Sequence, residues 1–208
     1  MTRDEYLDGL YTAAKEADKG NGHEPIVVEL LTVYVKHRPK HDYAWLLLGD
    51  ALRVLGRRHE AVVPLRMAAR LAPRKHRWQA FARLGMLFGD GGKKRIAEKW
   101  FSRACAEPQG ARKGWVWILR GANAVDRGDF AKAERCYRNS MDRENVPLDE
   151  AYLNLGLVLR AQRRYAEAAA ALQRAIELDP SCQSAAKALT SLEGVEDAIA
   201  RAAQVPDE

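Results

Sequence analysis

No stretch of this 208-residue chain approaches the roughly 18 consecutive apolar residues of a membrane-spanning helix. The amino terminus opens Met1-Thr2-Arg3-Asp4-Glu5 with no apolar signal segment behind it, so a cytoplasmic location without a membrane partner is expected. Cysteine is scarce. Cys105, Cys136 and Cys182 are odd in number and share no Cys-x-x-Cys spacing, which leaves neither a disulfide framework nor a structural zinc site, and the first two fall beside packed positions as small core residues. Sustained period-two alternation bounded by turn residues is missing too, which argues against strands. Disorder is excluded from the other side, because 47% apolar and 30% charged residues suit a chain that buries a core.

What charge there is lies unevenly. The net +6 divides into 3 Lys+Arg against 7 Asp+Glu in residues 1–35, 19 against 6 in residues 36–113, and 12 against 15 in residues 114–208. A basic block between acidic flanks can attract phosphate, an acidic protein face or the acidic end of a neighbouring copy.

Apolar residues recur at helical spacing, as in Trp45, Leu48, Leu52 and Leu55, and breakers fall at close intervals, among them Pro39, Gly56, Pro73, Gly89-Asp90-Gly91-Gly92, Pro108, Gly128, Pro147 and Pro180. They predict short antiparallel helices. Aligned on Gly49, Gly85, Gly121 and Gly156, the sequence repeats: an aromatic stands four residues earlier (Trp45, Phe81, Trp117, Tyr152), an alanine 12 later (Ala61, Ala97, Ala133, Ala168), and a large residue 16 later (Leu65, Phe101, Tyr137, Leu172). Helices that cross closely need small residues where their backbones meet and a large one beside them.

This pattern resembles the tetratricopeptide repeat, with an aromatic, Leu-Gly, a small and a large residue in the second helix and a closing proline at a period near 34. The resemblance implies an all-α, right-handed solenoid of antiparallel helix pairs, a tetratricopeptide-like superhelix with a C-terminal capping helix. Residues 1–41 read as a degenerate first pair, with Thr2-x-x-Glu5 as a capping box for a helix through about Lys19 and Pro25 opening the second helix. Residues 42–77, 78–113, 114–148 and 149–182 form four repeats, 183–203 the capping helix behind Ser181, packed through Leu189, Leu192, Val195 and Ile199, and 204–208 a tail, all in one continuous repeat domain.

The chemistry of an enzyme is not evident. Gly89-Asp90-Gly91-Gly92-Lys93 lacks the spacing of a phosphate loop and reads as a turn, while Pro39 breaks the helix that His37 and His41 would need to share a metal, so both read as solvent-facing. No nucleophile has a histidine at a persuasive spacing. No catalytic residue, cofactor or metal is expected, which points to a non-enzymatic scaffold.

The resemblance implies that one stripe of each first helix lines a concave groove, here with Tyr43, Leu46, Asp50, Met86, Trp115, Ile118, Leu153 and Leu157 as the contacts of a protein or peptide partner. A separate partner is favoured as the groove's occupant over the chain's own terminal helix or a second copy in a homo-oligomer. Some tetratricopeptide domains clamp the carboxyl terminus of heat-shock chaperones with lysine, asparagine and arginine; this stripe offers only Arg83 and Asn154 beside it, so that clamp is not expected.

A second surface is basic. Lys36, Arg38 and Lys40, then Arg74, Lys75 and Arg77, then Arg112 and Lys113 lie at three junctions that would stack on one edge. Cations there can simply answer helix dipoles. As an alternative function, the edge formed by residues 36–113 could hold nucleic acid weakly or an acidic partner. A regulatory subunit of an enzyme complex is a further alternative.

Overall fold

The computed structural model describes residues 2–18 and 22–202. Among them are twelve α-helices: α1 Arg3–Ala17, α2 Glu24–His37, α3 Asp42–Val54, α4 Arg58–Leu71, α5 Arg74–Asp90, α6 Lys94–Ala106, α7 Pro108–Ala111, α8 Gly114–Val125, α9 Phe130–Met141, α10 Leu148–Ala161, α11 Tyr165–Leu178 and α12 Gln183–Ala202. No strand is present among the described residues, and the fold is an all-α solenoid of paired helices. The chain divides into two compact units, residues 1–111 and 112–208.

The glycine alignment has a direct spatial meaning. A Cβ at Gly49 would lie 2.6 Å from Leu65, one at Gly85 2.5 Å from Phe101, one at Gly121 2.6 Å from Tyr137 and one at Gly156 2.7 Å from Leu172. Each is the glycine of a first helix against the large residue sixteen positions later in the second. The alanines twelve after each glycine are wholly buried, as are their large partners or nearly so. This packing builds one core around Leu31, Leu65 and Leu84 in the first unit and another around Tyr137, Leu159 and Leu172 in the second.

The turn inside each pair is built the same way four times. Arg57 N–H donates to Leu52 and Gly56 N–H to Arg53; Lys93 donates to Phe88, Asp129 to Ala124 and Arg164 to Leu159. Such a six-to-one closure puts one residue in the left-handed region. That residue is Gly56 (φ 74°), Gly92 (φ 73°), Gly128 (φ 71°) and, in the last pair, Arg163 (φ 63°). Gly92 thus belongs to a turn, as its segment's spacing indicates.

The capping box forms as its sequence predicts: Glu5 N–H donates to Thr2 Oγ1 at 3.2 Å and Thr2 N–H to Glu5 Oε2 at 2.6 Å. Its helix ends at Ala17, and Lys19 lies outside the described residues. Ser181 does not cap α12. Its N–H and hydroxyl both donate to Asp179 Oδ1, at 3.0 and 2.7 Å, so the aspartate organises that turn. Leu192 is buried and Leu189 half-buried on α12, while the side chains of Val195 and Ile199 and the 204–208 tail lie outside the described residues. Cys105 and Cys136 are buried free thiols.

Candidate functional site

In the first unit, the glycine crossings hold α3 and α5 with one face of each left over once the core is made. Between them, with the end of α4 as floor, lies a cleft of about 270 Å³ lined by Tyr43 and Leu46 of α3, Ala68 and Ala72 of α4 and its cap, and His76, Gln79 and Ala80 of α5, with Asp42 at the rim. Tyr43 and Leu46, separated by one helical turn, are thereby brought together, and Tyr43 is 41% exposed. Alanines at 68, 72 and 80 make the floor, so the cleft exists because small residues close the helix contacts beneath it.

One turn further along α3 the stripe changes character. Asp50 accepts from Arg53 Nε at 2.8 Å and from Arg83 Nε of α5 at 2.5 Å, and Arg53 reaches on to Asp90 at 3.2 Å. Arg53 is 15% exposed in its side chain and Asp50 22%, so the pairs are partly shielded from water. Asp18 borders this network. Burial pushes its carboxyl above the usual range, with Asp50 adding to the rise and Arg83 opposing it. Asp50 is therefore a structural bridge between two first helices, and Met86, half-buried beside Arg83, continues the apolar stripe past it.

In the second unit Trp115 of α8 and Leu153 and Leu157 of α10 are half-buried on their helices, the two leucines against the core. Ile118 departs from expectation. It is only 4% exposed and belongs to the core cluster with Tyr137, Leu155 and Leu159. It is withdrawn from the contact surface.

The basic edge is also different from its sequence reading. Lys36 stands in the last turn of α2, where a cation suits the dipole. Arg74, Lys75 and Arg77 are not junction residues but the first turn of α5, which starts immediately after Pro73 and has no acidic residue there. They face the positive end of the helix dipole, at a cost of about 0.3–1 kcal/mol each. Several of the eight already have acidic partners: Arg38 pairs with Asp4 at 2.5 Å, Arg74 with Glu107 at 3.6 Å, Lys113 with Glu144 at 2.8 Å, and Arg112 with the same Glu144. Arg112 and Lys113 are fixed further by their backbone, since Glu144 N–H donates to Arg112 O at 2.8 Å and Gly114 N–H to Glu144 O at 2.9 Å. Lys36, Lys40 and Lys75 are exposed and make no ion pair among the described residues.

The two histidines flanking Pro39 part company. His37 is exposed, with Nδ1 2.7 Å from an Arg3 guanidinium nitrogen, which must be the donor. His41 packs edge-on against Tyr11 and Tyr34, with centroids 4.7 and 5.5 Å away, and the tyrosines stack on each other at 5.2 Å. Burial pushes the Tyr11 phenol up to about 12. The expectation of two solvent-facing histidines fails at His41, which packs against Tyr34 of the preceding helix and Tyr11 of α1. A broad cleft of about 540 Å³ opens beside this cluster, lined by Asp8, Tyr34, His37, Arg38, Pro39, Lys40 and His41. Among the described residues no three His, Cys, Asp or Glu side chains converge as metal ligands, and no helix is long and apolar enough to cross a membrane.

Residues 118–181 match the tetratricopeptide repeat family model. No curated protein matches the chain. Solved structures of similar fold include residues 41 to the end of MamA from Desulfovibrio magneticus RS-1 (16% identity over 85% of this chain and 96% of that one, TM-score 0.71). PilF of Pseudomonas aeruginosa is similar at 22% identity over 81% and 74%, with TM-score 0.68. YrrB, described as a TPR protein with an unusual peptide-binding site, is similar at 15% identity over 88% of both chains, with TM-score 0.67. At these identities the likeness is one of fold.

Proposed function

We propose that this tetratricopeptide-repeat chain is a non-enzymatic protein-interaction module, and that the first helices of its units receive a segment of a partner protein, with the Tyr43–Leu46 cleft as the anchor pocket. Repeat folds of this kind generally bind other proteins through the faces their stacked helices leave open. The observation that carries the reading is the cleft: about 270 Å³, floored by Ala68, Ala72 and Ala80 and walled by a half-exposed tyrosine. That is less than the 300–1,000 Å³ of a typical small-molecule site, and suits one apolar side chain presented by a polypeptide. The Asp50–Arg53–Arg83 network beside it supports the same reading, because it fixes α3 against α5 and so presents the cleft preorganised. His76, Gln79 and Asp42 on the rim offer polar groups to the segment's backbone. In the second unit Trp115, Leu153 and Leu157 would add apolar contacts of their own.

Photo-crosslinking tests this in the intact protein. A benzophenone amino acid in place of Leu46 should give a discrete protein adduct in lysate of the source cells, reduced by Tyr43→Ala, whereas the same probe in place of Lys132 on α9 should not give that adduct. Adducts indifferent to Tyr43→Ala, or formed equally at position 132, would overturn the assignment of the cleft.

A further inference from the structure

The groove accounts for the first helices, but the second helices of the first unit carry a feature it does not use. On α6, Arg95, Lys99 and Arg103 follow one another at four-residue intervals, and on α4 Arg66 and Arg70 do the same. All five are exposed, on the side of their helices away from the buried stripes Ala61–Leu65–Ala68 and Ala97–Phe101–Ala104. Like charges at this spacing face each other and weaken a helix. Arg66, Arg70, Arg95 and Lys99 make no ion pair among the described residues, and Arg103 lies over the Trp100 ring at 4.8 Å. Glu60 is taken by Arg57, at 2.8 and 2.6 Å, and Glu98 is half-buried. Both helices pack against α5, and Val62 and Ala69 of α4 join the same core as Trp100 of α6.

In the second unit, charges on the corresponding helices pair with one another. There α9 and the start of α11 are laced by Arg164 to Glu134 at 2.7 Å and to Glu167 at 2.6 Å, with Arg138 to Glu134 at 3.0 Å. The first unit holds 20 Lys+Arg against 13 Asp+Glu, the second 14 against 15.

We infer that the outward face of α4 and α6 is a docking surface for the phosphodiester backbone of a nucleic acid, bound without regard to base sequence. Charges on α6 recur about every 6 Å along its axis, a spacing at which each can meet about every second phosphate of a strand that carries one charge per roughly 3.4 Å. Four of the five are arginines, whose planar fork matches phosphate oxygens. The large apolar side chains on this face are Val63, 63% exposed, and Ile96, 40% exposed. Two isolated aliphatic residues make neither the apolar centre of a protein interface nor the inserted face of a membrane-bound helix. Trp100, the aromatic at hand, is half-buried beneath Arg103.

The test is fluorescence anisotropy of a labelled oligothymidylate with the full chain across a salt series. Binding should appear at low salt, with a log–log slope of about −3.5, as expected when counterions are released from about five phosphates of a single strand. Arg66→Glu, Arg70→Glu, Arg95→Glu and Lys99→Glu together should weaken binding more than tenfold and flatten the slope, while Lys36→Glu with Lys40→Glu and Lys75→Glu should lower it far less. Glutamine at the same four positions, which removes the charge without reversing it, should weaken binding in the same direction and replaces the glutamate variant should that one fail to fold. Phosphatidylserine vesicles and polyglutamic acid are measured alongside. No oligonucleotide binding at low salt, a multiple variant that binds like wild type, or capture by vesicles or polyglutamate in preference to the oligonucleotide would each overturn the proposal. The groove variant Tyr43→Ala should leave this affinity unchanged, which separates the two surfaces.

Discussion

Arg163 holds a backbone conformation that its three counterparts give to glycine. Its φ of 63° places a side chain in the left-handed region, where an L residue is disfavoured by roughly 1–2 kcal/mol and glycine is not. Part of that gain is returned because glycine enlarges the unfolded ensemble, so Arg163→Gly should stabilise the chain by about 0.5–1 kcal/mol in urea melts monitored by circular dichroism. The glycines of the crossings behave in the opposite sense. A Cβ at Gly85 would stand 2.5 Å from the ring of Phe101, which is itself buried and has nowhere to go, so Gly85→Ala should cost about 1–3 kcal/mol. Gly9, exposed within α1, has nothing within 4 Å of an added Cβ, and Gly9→Ala should raise stability by about 0.5–1 kcal/mol through helix propensity. Opposite shifts from one chemical change, read in the same urea titration, would separate crossing glycines from incidental ones.

At the scale of elements, α5 departs most from what its sequence suggests. The periodic pattern begins at Trp78, so the preceding Arg74-Lys75-His76-Arg77 looks like a junction, yet Pro73 is a natural helix start and the chain turns helical immediately after it. The first turn is then cationic against the dipole. Lys75 is exposed and unpaired among the described residues, so Lys75→Glu should stabilise the protein by about 0.3–1 kcal/mol at low ionic strength, with the gain shrinking as salt is added; thermal melts in low and high salt would show it. The crossing glycines and their large partners are legible in the sequence because a helix pair permits only small residues at one point and requires bulk at another. The groove stripe is legible only in part. Tyr43 and Leu46 line the cleft, but Ile118, in the same register, is buried in the core cluster, and no local spacing encodes which elements pack over it. Asp50 and Arg83, 33 residues apart, meet only on folding. His41 escapes local spacing in part for the same reason: Tyr11 reaches it from α1.

At the scale of the first unit, α3 and α5 carry the cleft and the Asp50–Arg53–Arg83 bridge, while Arg66, Arg70, Arg95 and Lys99 of α4 and α6 make no ion pair among the described residues. The two proposed surfaces are therefore made of different residues, and each is measurable without the other. That the Tyr43–Leu46 cleft anchors a polypeptide can be measured by isothermal titration calorimetry of a peptide selected on the wild-type chain from a random library, against wild type and Tyr43→Ala. A one-to-one complex weakened by about 2 kcal/mol in the variant, roughly thirtyfold in affinity, with helicity unchanged, is expected. Equal affinity for the two proteins would refute it.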